Sequence, residues 1–413
     1  MRKIILLFAL AGTTSVSAQI SLQDYRKSVY DASTEIANAM VEIDKAAATA
    51  KREHTGFLPS VAANGQFSKS FRRDDDNKLW NFTLAPQLSQ TIYAGGAVRA
   101  TWNQAQSQLH KSQYSADDIK LTMRYQADYA YWHVSASQLY LEATKRYVEI
   151  IKSLYNVVQQ RYSEGYVAKS DLLQVEARLS DAEYSLITTQ HIYEQSLHQF
   201  NNLRGEHEPT EVTLSQSIID SIAMPRRISF ADIVMRRPDV QAAEWEVKSA
   251  EYATRITRAT FNPAISAGVG GSWQTFSPNV SGKTYCDAAI SLSVNIPIFH
   301  WGERRHAVAA AKADQRIAYN TWEQIRDDIE QEEADGWSAL QSSYSQMQSS
   351  LRNLEIAGEN LDISTYSYNE GQATVLDVLQ AQISWIQIYT NAITARFNYA
   401  VAVSAYMKIT ATD

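Results

Sequence analysis

The sequence carries one motif twice. Tyr162-Ser163-Glu164-Gly165 and Tyr368-Asn369-Glu370-Gly371 share the pattern Tyr-x-Glu-Gly, and each is followed by Asp-x-Leu-Gln, at Asp171 to Gln174 and Asp377 to Gln380. All these pairs, with Gly96 and Gly302, lie 206 residues apart. Earlier in each half the offset is 204, in Glu35 with Asp239, Phe57 with Phe261 and Pro59 with Pro263. A near-constant offset over this length is the mark of a duplicated unit of roughly 200 residues. The two-residue change falls between Pro59 and Gly96.

Within each unit two kinds of period follow one another. After Pro59, Val61, Ala63, Gly65, Phe67 and Phe71 alternate with Ala62, Asn64, Gln66, Ser68 and Ser70. Trp80, Phe82, Leu84, Pro86, Leu88 and Ile92 alternate with Asn81, Thr83, Gln87, Ser89 and Thr91. The second unit repeats this around Val269, Trp273, Ile290, Leu292 and Val294. Period two over ten or more residues predicts strands at about 60–71, 80–93, 264–276 and 285–298. A soluble sandwich uses shorter strands. Length, one apolar face and one small polar face favour a membrane barrel with a wet lumen. Trp80, Phe82, Leu84, Trp273 and Leu292 are then expected to face lipid. Polar connections, Arg72 to Lys78 and Ser277 to Lys283, read as exposed loops. The acidic triplet Asp74-Asp75-Asp76 has a cation-binding reading and a plain solvated-loop reading, the second the commoner.

Helices follow. Ala97 to Glu164 contains no Gly or Pro, and Gly96 to Gly165 and Gly302 to Gly371 both span 69 residues. As continuous helix each would be roughly 100 Å long. Gly165 and Gly371 are expected to reverse the chain, with Asp171 and Asp377 opening the returning helices to about Arg204 and Ile409. Further helices are expected at about 21–55 and 229–260. Residues 205–228 have no strong period and read as a linker outside the helical body. The resulting division is 1–18, 19–204, 205–228 and 229–413, an α+β membrane protein with internal duplication.

Residues 1–18 have the layout of a secretory signal: Arg2 and Lys3, an apolar run, then Val16-Ser17-Ala18 before Gln19. No later stretch approaches the 18 or so apolar residues of a membrane helix. The single Cys286 excludes a disulfide within the chain. A net charge of −7 over 413 residues gives no reason to expect nucleic-acid binding.

Four strands cannot close a barrel, and open sheet edges are not tolerated in hydrocarbon. Several copies must therefore combine their strands, with the long helices projecting from the membrane.

The chain resembles the TolC-like outer-membrane efflux proteins, over nearly all of the region after residue 18. The resemblance is carried by Phe57-Leu58-Pro59 and Phe261-Asn262-Pro263, by Leu88 to Gly96 and Ile296 to Gly302, and by both Tyr-x-x-Gly turns with their Asp-x-Leu-Gln. Arg236-Arg237-Pro238-Asp239-Val240 is similar to the branch serving resistance-nodulation-division pumps. The resemblance implies a homotrimer with a twelve-stranded barrel in the bacterial outer membrane and a helical tunnel in the periplasm. It also implies docking to a periplasmic adaptor and an inner-membrane transporter, and no cofactor. By that resemblance the turns Gly165, Tyr166, Val167, Ala168 and Gly371, Gln372, Ala373, Thr374 meet the adaptor. Asp171, Tyr368, Asp377 and Gln380 fall at positions of the periplasmic entrance. The family's locking Arg corresponds to Ala373, and its second acidic ring to Gln380. The plain alternative makes Asp171 and Asp377 helix caps and Tyr368 packing.

No catalytic constellation emerges. The eight His are scattered, Gly282-Lys283-Thr284 lacks the upstream glycine of a phosphate loop, and Gly268-Val269-Gly270 meets Trp273 where a dinucleotide fingerprint needs its third glycine. Two other functions remain. One is an outer-membrane component of one-step (type I) protein secretion, against which the Arg-Arg-Pro-Asp segment argues mildly. The other is a periplasmic coiled-coil adaptor or structural protein, which would have no lipid-facing strands.

Overall fold

The computed structural model describes residues 19–69, 71, 80–206, 212–275 and 284–412. The expected signal and most of the two strand-to-strand loops, with the acidic triplet and Gly282-Lys283, lie outside these residues. The chain forms two compact units. One comprises the chain up to Thr34 with Lys120–Ser229 and Glu332–Asp413; the other comprises Glu35–Ile119 and Phe230–Gln331.

The elements run α1 (Leu22–Ala32), α2 (Thr34–His54), a 3-10 turn (Thr55–Phe57), β1 (Ser60–Lys69), β2 (Trp80–Ala94), α3 (Ala97–Ser163) and α4 (Lys169–Leu203). The second half follows as α5 (Phe230–Arg236), α6 (Pro238–Ala259), β3 (Ala264–Gln274), β4 (Tyr285–Asn295), α7 (Glu303–Asn369) and α8 (Val375–Ile409). The paired long helices match in length: α3 and α7 have 67 residues, α4 and α8 have 35.

Three boundaries differ from the sequence expectation. The helix expected over 21–55 breaks at Ser33, whose backbone is extended. Adjacent Ser33 and Thr34 offer side-chain alternatives to helical hydrogen bonding. The helix expected over 229–260 breaks between Arg236 and Pro238. Pro238 occupies the first turn of α6, and the residue before a proline is pushed out of the helical region. β4 ends at Asn295 rather than 298. Pro297 has no N–H for a ladder.

The unit that contains the strands holds one antiparallel sheet in the order β1-β2-β3-β4. β1 pairs with β2 so that Ser60 faces Ser89 and Lys69 faces Trp80. β3 pairs with β4 so that Ala264 faces Asn295 and Trp273 faces Cys286. Subtracting 204 and 206 converts the second register into the first. The two-residue difference between the halves therefore falls between these last rungs, in the connections from Lys69 to Trp80 and from Trp273 to Cys286. Paired residues share a face. The register thus gathers Val61, Phe67, Phe82, Leu84, Leu88, Val269, Trp273, Ile290 and Leu292 on one side, and Asn64, Gln66, Thr83, Gln87, Gly268 and Ser291 on the other.

The other unit is helical and has three cores, the smallest around Leu340, Tyr399, Val403 and Tyr406. In the first, Tyr25 of α1 stacks on Phe200 of α4 with ring centroids 3.8 Å apart, and its hydroxyl donates to the Phe200 carbonyl at 3.0 Å. Arg26 grips Asp128 with two short hydrogen bonds, 2.6 and 2.7 Å. Residues 212–222 dock here: Ile20 and Leu214 form an isolated parallel bridge, and Tyr131 donates to the Ile20 carbonyl. The second core lies under the turns. Tyr147, Ile151, Leu154 and Val158 of α3 face Val378, Gln382 and Trp385 of α8. Steps of three and four residues on each helix are the seam spacing of coiled-coil packing.

Candidate functional site

Two features of the chain are candidates for function: an apolar sheet face and the pair of helix-reversing turns.

The sheet face is uncovered. Phe82, Leu84, Leu88, Trp273 and Leu292 are exposed, and Trp80 is half exposed. Phe82 and Trp273 meet edge to face at 5.7 Å, and Lys69 lies 4.7 Å from the Trp80 ring. A contiguous apolar face of this kind marks a surface that meets something other than water. β1 is exposed along its whole length and β4 from Cys286 onward, and the two leave both sheet edges open.

The turns are built alike. Gly165 has φ +80° and Gly371 φ +75°. In the first, the Gly165 N–H donates to Tyr162 and the Tyr166 N–H to Arg161, at 3.0 and 2.8 Å. In the second, Gly371 donates to Tyr368 and Gln372 to Ser367, at the same distances. This is the paired hydrogen-bond closure that a left-handed glycine makes at a helix end. Val167 and Ala373 pack on the second core, while Tyr166 is exposed.

The returning helices start differently. Thr374 caps α8 in a reciprocal box: its hydroxyl accepts from the Asp377 N–H, and Asp377 accepts from the Thr374 N–H at 2.8 Å and hydroxyl at 2.7 Å. These bonds, the hydroxyl's first, hold the Asp377 carboxyl below its ordinary range. Ala168 caps α4 with no side-chain bond, and Asp171 sits in that first turn. Asp377 and Gln380 are exposed, so the structure sets the former in a helix cap with its surface open to solvent.

Tyr368 is buried, at 4 % exposure, and its hydroxyl has no hydrogen-bond partner. The structure therefore does not join Tyr368 to Asp171 within one chain. It joins Tyr368 to Arg161 of α3, a residue the sequence reading passed over. The Arg161 guanidinium lies 4.5 Å from the Tyr368 ring centroid and donates to the Tyr368 and Asn369 carbonyls at 3.3 and 3.2 Å. A cation at these last carbonyls of α7 complements the helix end. The counterpart of Arg161 in the second half is Ser367, so the tether runs one way only. Gln382 was also passed over. It is 2 % exposed with an unpartnered Oε1, and lines with Tyr368 and Trp385 a cavity of about 730 Å³.

A family model described as outer membrane efflux protein matches residues 25–206 and again 231–412. The chain belongs to the outer membrane efflux protein family. The two matches are the two halves of the duplication. This outer membrane efflux protein is 23% identical over 359 residues to nodulation protein T of Rhizobium leguminosarum bv. trifolii, covering 85% of this chain and 76% of the relative. It is 21% identical over 356 residues to the toluene efflux pump outer membrane protein TtgC of Pseudomonas putida, covering 83% and 73%. Among solved structures CusC superposes with a TM-score of 0.84 at 17% identity, over 98% of this chain and 96% of that one. The outer membrane efflux protein thus has the TolC-like fold, resides in the outer membrane and belongs to a class of channels rather than enzymes.

Proposed function

We propose that three copies of the chain close their sheets into one twelve-stranded barrel and act as a passive export duct, docked through the turns to a periplasmic adaptor and an inner-membrane transporter of the resistance-nodulation-division type. The observation that carries this reading is the sheet itself: four long strands, one bare apolar face and two open edges. Each unpaired backbone group would cost several kcal/mol in hydrocarbon, so the edges demand partners. Trp80, Phe82, Leu84, Trp273 and Leu292 then face lipid. The turns at Gly165–Ala168 and Gly371–Thr374 form the entrance, with Asp377 and Gln380 at its mouth and Asp171 beside it. The likeness to the toluene efflux pump outer membrane protein TtgC supports export of small molecules. Reconstitution into planar bilayers tests the duct: discrete conductance steps from a purified oligomer of three chains are expected. A protein that washes from membranes without detergent, or inserts without conducting, would overturn it. Copurification of an adaptor and transporter from the native membrane tests the docking.

A further inference from the structure

The strands of the two halves meet once, at the β2–β3 joint, and a closed ring of copies must contain a second joint of the same parts. β1 is the counterpart of β3, and β4 the counterpart of β2. Within the chain, Gln87 faces Gly270, Leu88 faces Val269 and Ser89 faces Gly268. Adding 206 on one side and subtracting 204 on the other converts these rungs to Ser293 with Gln66, Val294 with Gly65 and Asn295 with Asn64. The conversion rests on observed equivalence, since the same offsets interconvert the β1–β2 and β3–β4 registers.

The parts below the strands are equivalent too. Gly95 and Gly96 have φ +62° and +89°; Trp301 and Gly302, 206 residues on, have φ +46° and +86°. Ala100 donates to the Gly96 carbonyl and His306 to that of Gly302, at 3.1 and 3.2 Å. On the receiving side, Asn262 donates to Ala259 and Leu58 to Thr55, at 3.0 and 2.9 Å. Within the chain, Gly95 is pressed against this turn. A Cβ there would lie 2.6 Å from the Asn262 Cβ, and Asn262 donates to the Gly95 carbonyl at 3.3 Å. The second joint has the same backbone with different chemistry. Trp301 stands in place of Gly95 and Leu58 in place of Asn262. Both are uncovered in the single chain, Trp301 at 90% and Leu58 at 57% exposure. The Trp301 ring meets that of Phe299 of its own chain edge to face at 4.9 Å, and a tryptophan in left-handed backbone that still stands so far exposed is a strained arrangement that calls for a further partner.

We infer that β4 of one copy pairs with β1 of the next in the register Ser293–Gln66, Val294–Gly65 and Asn295–Asn64, and that Trp301 packs on Leu58 of that next copy. The joint within the chain is small and polar; the joint between copies is large and apolar. Pro297, which stands where β2 has Thr91, ends the ladder between copies above this contact. The inference rests on the closed-ring reading and adds its register and its anchor.

Cysteine pairs test it, in a Cys286→Ser background because Cys286 is exposed on β4. One copy carries Ser293→Cys and a coexpressed, size-tagged copy carries Gln66→Cys. Directly opposite residues lie within disulfide reach, whereas inside one chain these strands are three spacings apart. Oxidation of isolated outer membranes is expected to link the two copies. Asn64→Cys or Ser68→Cys in place of Gln66→Cys is expected to leave them unlinked. Trp301→Cys with Leu58→Cys is expected to link as well. Stronger linkage through Asn64→Cys or Ser68→Cys in an oligomer of normal size overturns the register alone. Absence of the Trp301–Leu58 link, with the strand link present, overturns the apolar anchor. A chain that stays monomeric on native gels, with no link at any pair, overturns the ring reading as well. Membrane yield of each single-cysteine variant, checked beforehand, separates these outcomes from misfolding.

Discussion

Arg161 of α3 lies over the ring of Tyr368 of α7 and also holds the last carbonyls of that helix. The first hairpin thereby restrains the second at the turn. A cation–π contact and two charge-assisted but long hydrogen bonds contribute about 1.5 kcal/mol together, roughly tenfold in a closed-to-open ratio. Arg161→Ala is expected to raise open probability in bilayer recordings and to leave oligomer yield unchanged. Tyr368→Phe is expected to change little, because its hydroxyl makes no bond.

The capping box gives the second turn an acid sensitivity that the first lacks. The Asp377 carboxyl is held below its ordinary range, so its contribution is present above that range and is lost as pH falls through the depressed value. Amide exchange at residues 374–378 is expected to accelerate in acid. Asp377→Asn should remove that pH dependence, and Thr374→Ala should cost about 1 kcal/mol of local helix stability.

Gly95 and Gly96 both have left-handed backbone but different surroundings. A Cβ at Gly95 collides with Asn262 and with the Ala259 carbonyl, while one at Gly96 meets nothing within 4 Å. Gly96→Ala should cost about 1–2 kcal/mol from backbone strain. Gly95→Ala should add about 1–3 kcal/mol of overpacking. Thermal dissociation of the assembled protein on gels would rank the two, and equal midpoints would contradict the close joint.

Leu292 faces Ala267 on the apolar side of the sheet. Leu292→Arg should lower folded, membrane-inserted protein by about 2–4 kcal/mol if this face meets mid-bilayer. Ser291→Arg, on the opposite face, should insert normally. Quenching of Trp80 and Trp273 by lipid-attached quenchers would report the same orientation.

Asp128 is buried and Arg26 is its bidentate partner. Arg26→Ala should cost about 3–5 kcal/mol by leaving the carboxylate unpaired. Arg26→Met combined with Asp128→Leu should recover most of that loss in a denaturation series.

Strand periodicity was legible because each strand presents unlike faces to unlike surroundings, and Val61, Leu84 and Leu292 kept step with the pleat. The long helices were legible because Gly and Pro are missing from them until Gly165 and Gly371. The break at Ser33 was not, since Ser and Thr interrupt a helix only when the fold offers their backbone another partner. The break at Pro238 was written in the sequence and was overridden by the periodic residues around it. Arg161 escaped notice because it differs from its counterpart Ser367, and repeats draw attention to what they share. Gln382 was hidden for another reason: between Val378 and Trp385 it reads as one polar residue in an apolar stripe, and only the packing shows that its oxygen is unpartnered.

The equal arms, 67 residues in α3 and α7 and 35 in α4 and α8, carry a consequence for how such a gene can change. Deleting one residue within a helix turns everything beyond it by about 100° and draws it back by about 1.5 Å. A seam of side chains that must stay in step with a neighbouring helix cannot absorb that rotation. Insertions and deletions should therefore survive in descendants of this chain where the two halves already differ in length, in the strand-to-strand loops, or as matched events of whole helical turns in both halves at once.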